Sequence, residues 1–183
     1  KSAGYSSDLK ASYSVYTGKD NIITAFFDGE AKCYAMLVES LEYSKLNRIT
    51  SAVLEGFEKT MIDLVNVERV KSGLELLKAD SAISKVAKSH STDMANNNYY
   101  SHKNSEGKTS YDRIKAAGIA DFYSTEAISK AFPNSFTAFS SHLGNLGYIS
   151  AMLARYTHIG TGCAFNANSD GILYYTQILY ASK

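Results

Sequence analysis

The chain has 183 residues, of which 45% are hydrophobic and 20% charged, and its formal charge is +1 at pH 7. Roughly 100–200 residues make one domain, so one domain, with or without a smaller attachment, is expected, and it can bury a core without metal or disulfide help. The balanced charge gives no basic face for nucleic acid, and no apolar run approaches the roughly 18 residues of a membrane span. The 14 tyrosines and 8 phenylalanines exclude a disordered tail, a collagen-like repeat or a coiled coil.

The first 50 residues have the pattern of β-strands. Apolar and polar residues alternate over Lys10–Tyr16, and Asn21–Phe27 is a β-branched and aromatic run. The step Asp28-Gly29 separates this run from the next one and favours a hairpin, because such a turn needs positive φ. We predict two or three antiparallel strands over 10–40, which makes residues 1–50 an N-terminal β-hairpin extension.

From Thr50 onwards the apolar residues recur at intervals of three and four, which is the period of an amphipathic helix. The pattern predicts helices over 52–71, 81–96, 110–117 and 136–153, followed by strands over 157–165 and 172–180. Asp80, Thr109 and either Asn134 or Ser135 stand where helix N-caps are expected. The order of these elements indicates an α+β fold with helices packed against an antiparallel sheet.

Several short motifs follow one another in this second part of the chain. They include Asn66-Val67-Glu68-Arg69, Tyr100-Ser101-His102, Asp112-Arg113-Ile114, Thr157-His158-Ile159-Gly160-Thr161-Gly162 and Tyr174-Tyr175-Thr176-Gln177. In this order the set resembles the bacterial branch of the CAP superfamily (cysteine-rich secretory proteins, antigen 5 and pathogenesis-related proteins, also called SCP). The resemblance covers about residues 56–181. It implies an α-β-α sandwich with a central antiparallel sheet, a CAP-like domain over 51–183, and a secreted or cell-surface location.

The resemblance also implies an open cleft lined by two histidines and by acidic residues, which holds a divalent metal in some members. His102 matches the first histidine of the family. Glu126 matches the glutamate of the family's Gly-Glu-Asn-Ile, with Ile128 in place but Thr125 and Ala127 where the family has Gly and Asn.

The second cleft histidine can be assigned in two ways. A gapless count back from Tyr156 puts Gly147 at its position, which would break the site. The other register uses His142, followed by Leu143-Gly144-Asn145-Leu146, and needs about five extra residues before Tyr156, more than one helical turn. We prefer His142, so the predicted cleft consists of His102, Glu126 and His142.

A metal at this cleft would be held by His102 and His142, with Glu126 as a third ligand. Two histidines and one carboxylate could hold zinc, with water in the fourth position. No acidic residue lies between Glu126 and Asp170, so there is no candidate for a second acid. Bound metal also needs partners that orient each imidazole. We therefore predict weak or absent metal in the protein as purified.

The other histidines and the two cysteines suggest structural roles. His90 falls on the apolar stripe of the second helix and is predicted to be a core residue, and His158 to report strand packing. Cys33 and Cys163 are either two buried free thiols or one disulfide that ties the ends of the chain together. Both lie in predicted strands and not at a helix start beside a histidine, which argues against a cysteine nucleophile.

Three hypotheses for function follow, in order of preference. The first is a non-enzymatic secreted domain that binds a protein, a lipid or a surface polymer through the cleft. The second is a metal-dependent, peptidase-like hydrolase that uses His102, Glu126 and His142. The third is a structural cell-surface domain with residues 1–50 as the interacting part. In each case we expect residues 1–50 to pack onto the CAP-like domain, because their apolar residues outnumber what a lone hairpin can cover.

Overall fold

A computed structural model describes residues 2–6, 11–17, 19, 21–27, 33–40, 49–120, 122–166 and 172–182. The chain forms two compact units, Lys1–Ile49 and Thr50–Lys183. The packing of residues 1–50 on the rest of the chain stays a prediction. None of the helices in the described ranges is long and apolar enough to cross a bilayer.

The first unit contains a four-stranded antiparallel sheet with the strands in chain order. The strands are β1 (Ser2–Ser6), β2 (Ala11–Thr17), β3 (Asn21–Phe27) and β4 (Cys33–Ser40). The sequence predicted two or three strands, and the additional one, β1, precedes the segment over which they were expected. The predicted Asp28-Gly29 turn lies outside the described residues.

The described part of the second unit contains five helices and a four-stranded sheet. The helices are α1 (Ser51–Lys71), α2 (Ser81–Asn97), α3 (Ser110–Ala116), α4 (Ser135–His142) and α5 (Leu146–Met152). The strands are β5 (Lys78–Ala79), β6 (Phe122–Lys130), β7 (His158–Phe165) and β8 (Leu173–Ser182), in the sheet order β5-β7-β8-β6. The three long strands are antiparallel, and the short β5 pairs with β7 in parallel.

The predicted helix starts are confirmed by their caps. The Asp80 carboxylate accepts from the backbone N–H groups of Ala82 and Ile83. Thr109 forms a capping box with Asp112, and the Asn134 side chain accepts from the N–H of Thr137. Each cap satisfies donors that a helix leaves unpaired at its first turn.

In the second unit, the structure departs from the predicted elements at the last predicted helix and at strand β6. The helix expected over 136–153 is divided into α4 and α5, because Asn145 caps a new helix by accepting from the N–H of Tyr148 at 3.1 Å. Strand β6 was not predicted, since Phe122–Lys130 shows little apolar alternation. It is the edge strand that carries Glu126.

Helices cover both faces of the sheet, as an α-β-α sandwich requires. On one face, α2 and α3 pack against β6 and β8 through a cluster of apolar residues. This cluster contains Ile83, Val86, Ala87, Ile114, Phe122, Ile178 and Tyr180. On the other face, Phe57 of α1 approaches Tyr175 of β8, and Tyr148 of α5 donates to Gln177 of the same strand. The expected three-layer fold is therefore confirmed.

The glycines of the Gly160-Thr161-Gly162 motif bring α2 directly onto β7. A Cβ atom at Gly162 would lie 2.2 Å from the backbone nitrogen of Lys88, and one at Gly160 would lie 2.4 Å from that of Ser84. Such distances are far below van der Waals contact, so only glycine allows this approach. The Ser91 hydroxyl then reaches the Gly162 carbonyl at 3.0 Å.

The Asn66-Val67-Glu68-Arg69 motif has a structural role. Asn66 forms two hydrogen bonds with the backbone of Leu77, which fixes the segment that leads into β5. The buried Arg69 guanidinium donates to the carbonyl groups of Glu75, Met152, Ala154 and Tyr156. Arg69 thus joins α1 to the end of α5, where helix carbonyls lack intrahelical partners.

Candidate functional site

His102 and Glu126 form a direct contact on the β6 side of the sheet. The Nδ1 atom of His102 lies 2.8 Å from Oε1 of Glu126. The Glu126 side chain is only 3% exposed, whereas the His102 side chain is 61% exposed. A buried carboxylate therefore holds a solvent-facing imidazole.

Glu126 is held in turn by Arg113 of α3. The Nη2 group of Arg113 donates to Oε2 of Glu126, and both side chains are almost completely buried. The Nη1 group of the same arginine donates to the carbonyl groups of His102 and Lys108, each at 3.0 Å. Arg113 therefore fixes both the carboxylate and the backbone that carries the imidazole.

Arg113 belongs to the Asp112-Arg113-Ile114 motif but was not among the residues predicted for the site. Its position in α3, directly before the buried Ile114, was the available signal. A charged residue on the buried side of a short helix needs a partner, because an unpaired buried charge is costly. The partner, Glu126, lies on a strand that the sequence pattern did not predict.

The electrostatics of this pair favour a charged His102. The hydrogen bond to Glu126 raises the pKa of His102 above its ordinary value, although partial burial and the Arg113 charge act in the opposite direction. With Nδ1 directed at the carboxylate, no hydrogen bond to Nε2 is found among the described residues. Nε2 can donate to a ligand when the ring is protonated and accept from one when it is neutral.

The loop before α3 is anchored by His90 and Asp93, both on α2. His90 is 1% exposed, which confirms it as a core residue, and its Nε2 lies 2.9 Å from the carbonyl oxygen of Ser101. Asp93 accepts from the hydroxyl of Tyr99 and from the N–H of Ser105 at 2.8 Å. The residue that precedes His102 is therefore bonded to the core.

His142 has different neighbours from the His102–Glu126 pair. Its ring stacks on Tyr148, with centroids 4.5 Å apart, and the Tyr148 hydroxyl donates to Gln177. Gln177 precedes Ile178, which is the register partner of Glu126. Adjacent strand residues point to opposite faces, so Gln177 and Tyr148 meet on the face opposite the Glu126 side chain. The structure brings His102 and Glu126 together but does not add His142 to them.

The environment of His142 is that of a packed ring. Its Nε2 atom is buried and has no hydrogen-bond partner in the described part of the chain. Burial lowers the pKa of His142 to about 4, so the ring is neutral at pH 7. The contacts of His142 leave the choice between the His142 register and the gapless register with Gly147 a prediction.

The arrangement does not fit a bound metal. No three side chains of His, Cys, Asp or Glu in the described ranges are grouped closely enough to hold one. The two oxygens of Glu126 already accept from His102 and Arg113, and His142 lies against Tyr148. Zinc needs at least three protein ligands in a catalytic site. Among the described residues, the predicted metal ligands His102 and His142 are therefore not grouped with a third ligand.

His158 and Cys163, the other residues considered in the sequence, have packing roles. The His158 ring stacks on Tyr180, with centroids 5.1 Å apart, as expected for a strand-packing residue. Cys163 is a free buried thiol, and burial raises its pKa to about 12, which is unsuited to a nucleophile. The side chain of Cys33 lies outside those that the structure describes.

Comparison with known proteins places most of the second unit in one family. Residues 62–179 match the model of the family described as CAP, cysteine-rich secretory protein family. The uncharacterised protein YkwD of Bacillus subtilis is 32% identical over 121 residues, 64% of this chain and 47% of that protein. The uncharacterised membrane protein YlbC of the same organism is 36% identical over 106 residues, 57% of this chain and 31% of that protein. The chain thus spans less than half the length of each of these relatives.

Two solved structures show the same fold at low sequence identity. One is an extracellular protein containing an SCP domain from Bacillus anthracis, with a TM-score of 0.69 and 22% identity over 95% of this chain and 65% of that one. The other is an outer surface protein from Borrelia burgdorferi, with a TM-score of 0.62 and 20% identity over 68% of this chain and 92% of that one.

Proposed function

The chain belongs to the cysteine-rich secretory protein (CAP) family, and from that membership we propose that it is a secreted or cell-surface domain that binds a ligand non-enzymatically at His102. The observation that carries this proposal is the contrast within one pair of residues. Glu126 is buried and bonded to Arg113, whereas the His102 ring that it holds is mostly exposed. The fixed ring presents Nε2 to a ligand.

The cost of this arrangement supports a role in binding. Burying Glu126 with Arg113 removes two charges from water, and such a pair is weak evidence for stability in itself. Here the pair fixes the orientation of an exposed side chain, and a fixed side chain loses less entropy when it binds a ligand. The extracellular or outer-surface descriptions of the structural relatives from B. anthracis and B. burgdorferi favour the same location for this chain.

The metal-dependent hydrolase has less support. It needs His142 beside His102, and the His142 ring instead stacks on Tyr148. A binding domain needs only the exposed ring and the groups that hold it. The proposal therefore includes His102, Glu126 and Arg113 and leaves His142 out.

Binding to defined surface materials tests the proposal. The full chain would be mixed with purified bacterial peptidoglycan sacculi, with phosphatidylglycerol vesicles and with an immobilised library of nine-residue random peptides, and bound protein would be measured at pH 6. We expect one material to retain the wild type and to lose at least tenfold affinity for His102→Gln. Lys103→Gln, on the exposed neighbour, should bind as the wild type does. Equal binding of His102→Gln would overturn the proposal, as would no binding to any of the three.

A further inference from the structure

Strand β6 lies at the edge of the central sheet, and its hydrogen bonds show which backbone groups point away from the sheet. In an antiparallel pair, each residue directs its N–H and C=O to the same side, and the side alternates along the strand. The Tyr180 carbonyl accepts from the N–H of Thr157, beside β7, so Tyr180 faces β7 and not β6. Its register partner on β6, Ser124, therefore faces outward.

Two further hydrogen bonds agree with this assignment. The Leu173 carbonyl accepts from the N–H of Ala131, so the odd-numbered residues of β8 face β6. The Ile128 carbonyl accepts from the Tyr100 hydroxyl at 2.8 Å, on the outer side of β6. Ser124, Glu126 and Ile128 thus direct their backbone groups outward, and Tyr100 occupies only the last of them.

The outward N–H and C=O groups of Ser124 and Glu126 have no hydrogen-bond partner among the described residues. They are two residues apart, which is about 6.8 Å along a strand. An exposed row of this kind pairs with an added strand, because only an extended backbone repeats donors and acceptors at that spacing. Ser124 and Glu126 are partly exposed, so a partner can approach them.

Different side chains flank the two faces of this edge. On the α2 and α3 face, the exposed His102 ring contacts the Glu126 side chain. On the opposite face, the rings of Tyr123 and Tyr156 lie 5.4 Å apart, and Tyr123 is 41% exposed. Successive side chains of an added strand would alternate between these two surfaces.

We propose that the ligand is an extended peptide segment of another protein, which adds as a strand to β6 at Ser124 and Glu126. One of its side chains meets His102, and the neighbouring side chain packs on Tyr123 and Tyr156. The imidazole favours an acidic side chain and the tyrosine rings an apolar one, so the preferred segment has an acidic residue next to an apolar residue. This inference rests on the proposed function, whose ligand class it specifies.

Replacing Ser124 by proline tests the edge without changing the ladder between β6 and β8. Proline lacks the N–H, and it is tolerated on edge strands where that group faces outward. Nine-residue peptides would be selected from a random library on the full wild-type chain, and the affinities of the selected peptides would be measured by fluorescence anisotropy. We expect Ser124→Ala to bind as the wild type does and Ser124→Pro to lose at least tenfold affinity with an unchanged melting temperature.

Amide hydrogen exchange on the wild type gives a second test that needs no variant to fold. The selected peptide should slow exchange at Ser124 and Glu126, and it should leave Thr125 and Ala127 unchanged because they already pair with β8. Failure to select any peptide, or protection elsewhere on the chain, would overturn the inference. So would pairing of two copies of the chain at this edge, seen as a dimer that Ser124→Pro abolishes.

The same measurements separate this inference from the proposed function. Loss of peptide binding in His102→Gln with full binding in Ser124→Pro would support His102 as the ligand contact and reject strand addition. Loss in Ser124→Pro with full binding in His102→Gln would support strand addition and reject the role of His102.

Discussion

The short strand β5 pairs only with the start of β7, so the remainder of β7 borders the sheet and is here called the β7 edge. Side chains occupy the outward backbone groups of Cys163 at this edge, whereas at the β6 edge those of Ser124 and Glu126 have no such cover among the described residues. Glu58 of α1 accepts from the Cys163 N–H at 2.8 Å, and Lys88 of α2 donates to the Cys163 carbonyl. Lys88 and Glu58 are themselves paired at 2.7 Å. Two helices from opposite faces thus close over one strand.

At the β6 edge, the charged side chains are used differently. Glu126 points into the layer between the sheet and α3, where it pairs with Arg113 and holds His102. Side chains that cover the backbone groups protect sheet edges against unwanted pairing. The difference is that the charges at β7 consume the backbone groups, while those at β6 fix a side chain beside them. One edge is closed, and the other is suited to recognition.

The largest expected effect comes from breaking the ion pair at the β6 edge. Glu126→Gln should cost about 3–5 kcal/mol of unfolding free energy, because it leaves the buried Arg113 charge without its partner. Urea unfolding at pH 7 measures the loss. Glu68→Gln, which breaks the exposed pair with Lys71, should cost less than about 1 kcal/mol. The double variant Glu126→Gln with Arg113→Met should regain much of the lost unfolding free energy. Equal losses in Glu126→Gln and Glu68→Gln would contradict the explanation.

The next effect concerns the packing that supports the β7 edge. Gly162→Ala should destabilise the protein by about 2–3 kcal/mol, because the new methyl group would overlap the α2 backbone at Lys88, which cannot rotate away. Gly56→Ala in α1 has no atom within 4 Å of its Cβ. It should stabilise the protein by about 0.5–1 kcal/mol. Thermal melts of both variants measure the difference, and a neutral Gly162→Ala would show that α2 can move off β7.

A smaller effect is expected when the β7 edge is opened. Glu58→Ala removes the acceptor for the Cys163 N–H and should cost about 1–2 kcal/mol. It should also increase self-association, measured by light scattering, because the exposed edge becomes available for pairing. Glu58→Gln keeps an acceptor and should remain monodisperse. Glu55→Ala, at an exposed position within α1, should change neither the stability nor the self-association. If Glu58→Gln self-associates as much as Glu58→Ala, the self-association results from loss of the Glu58 charge and not from the exposed Cys163 N–H.

The fold could be predicted where local chemistry determines structure. Asp80, Thr109 and Asn134 cap their helices as expected, because a cap depends on residues within three positions. Strand β6 could not be predicted in this way. It lies at the edge of the sheet, where most of its residues are only partly buried, so its sequence, Phe122–Lys130, has no simple alternation. The division between α4 and α5 was also missed, since their apolar residues alone fit one continuous helix.

The site could be predicted only in part, for the same reason. His102 and Glu126 followed from short motifs, and the structure joins them. Arg113 lies on another element, and its partner becomes apparent only when α3 packs beside β6. His142 also matched a motif, but the local match did not show that its ring packs on Tyr148. A motif identifies residue types, whereas the assembly of a site depends on which elements pack together.

The smallest expected effect is the pH dependence of the His102–Glu126 contact. Because the pKa of His102 is raised in the folded chain, protonated His102 stabilises the fold fully below its ordinary value near 6.5. This contribution disappears as the pH rises through the raised pKa. His142 acts in the opposite direction, since its pKa is lowered to about 4 and stability falls as the pH drops from 6.5 towards 4. The difference between wild type and His102→Gln isolates the first effect. This difference should stay below about 1 kcal/mol because the ring is largely exposed.

Urea unfolding of wild type and His102→Gln from pH 5 to 9 measures the difference in unfolding free energy. Lys103→Gln is the control and should show no pH-dependent difference from the wild type. A difference that grows with rising pH would mean that neutral His102 is the form that Glu126 holds, and the proposed donor at Nε2 would then be absent when the ligand binds.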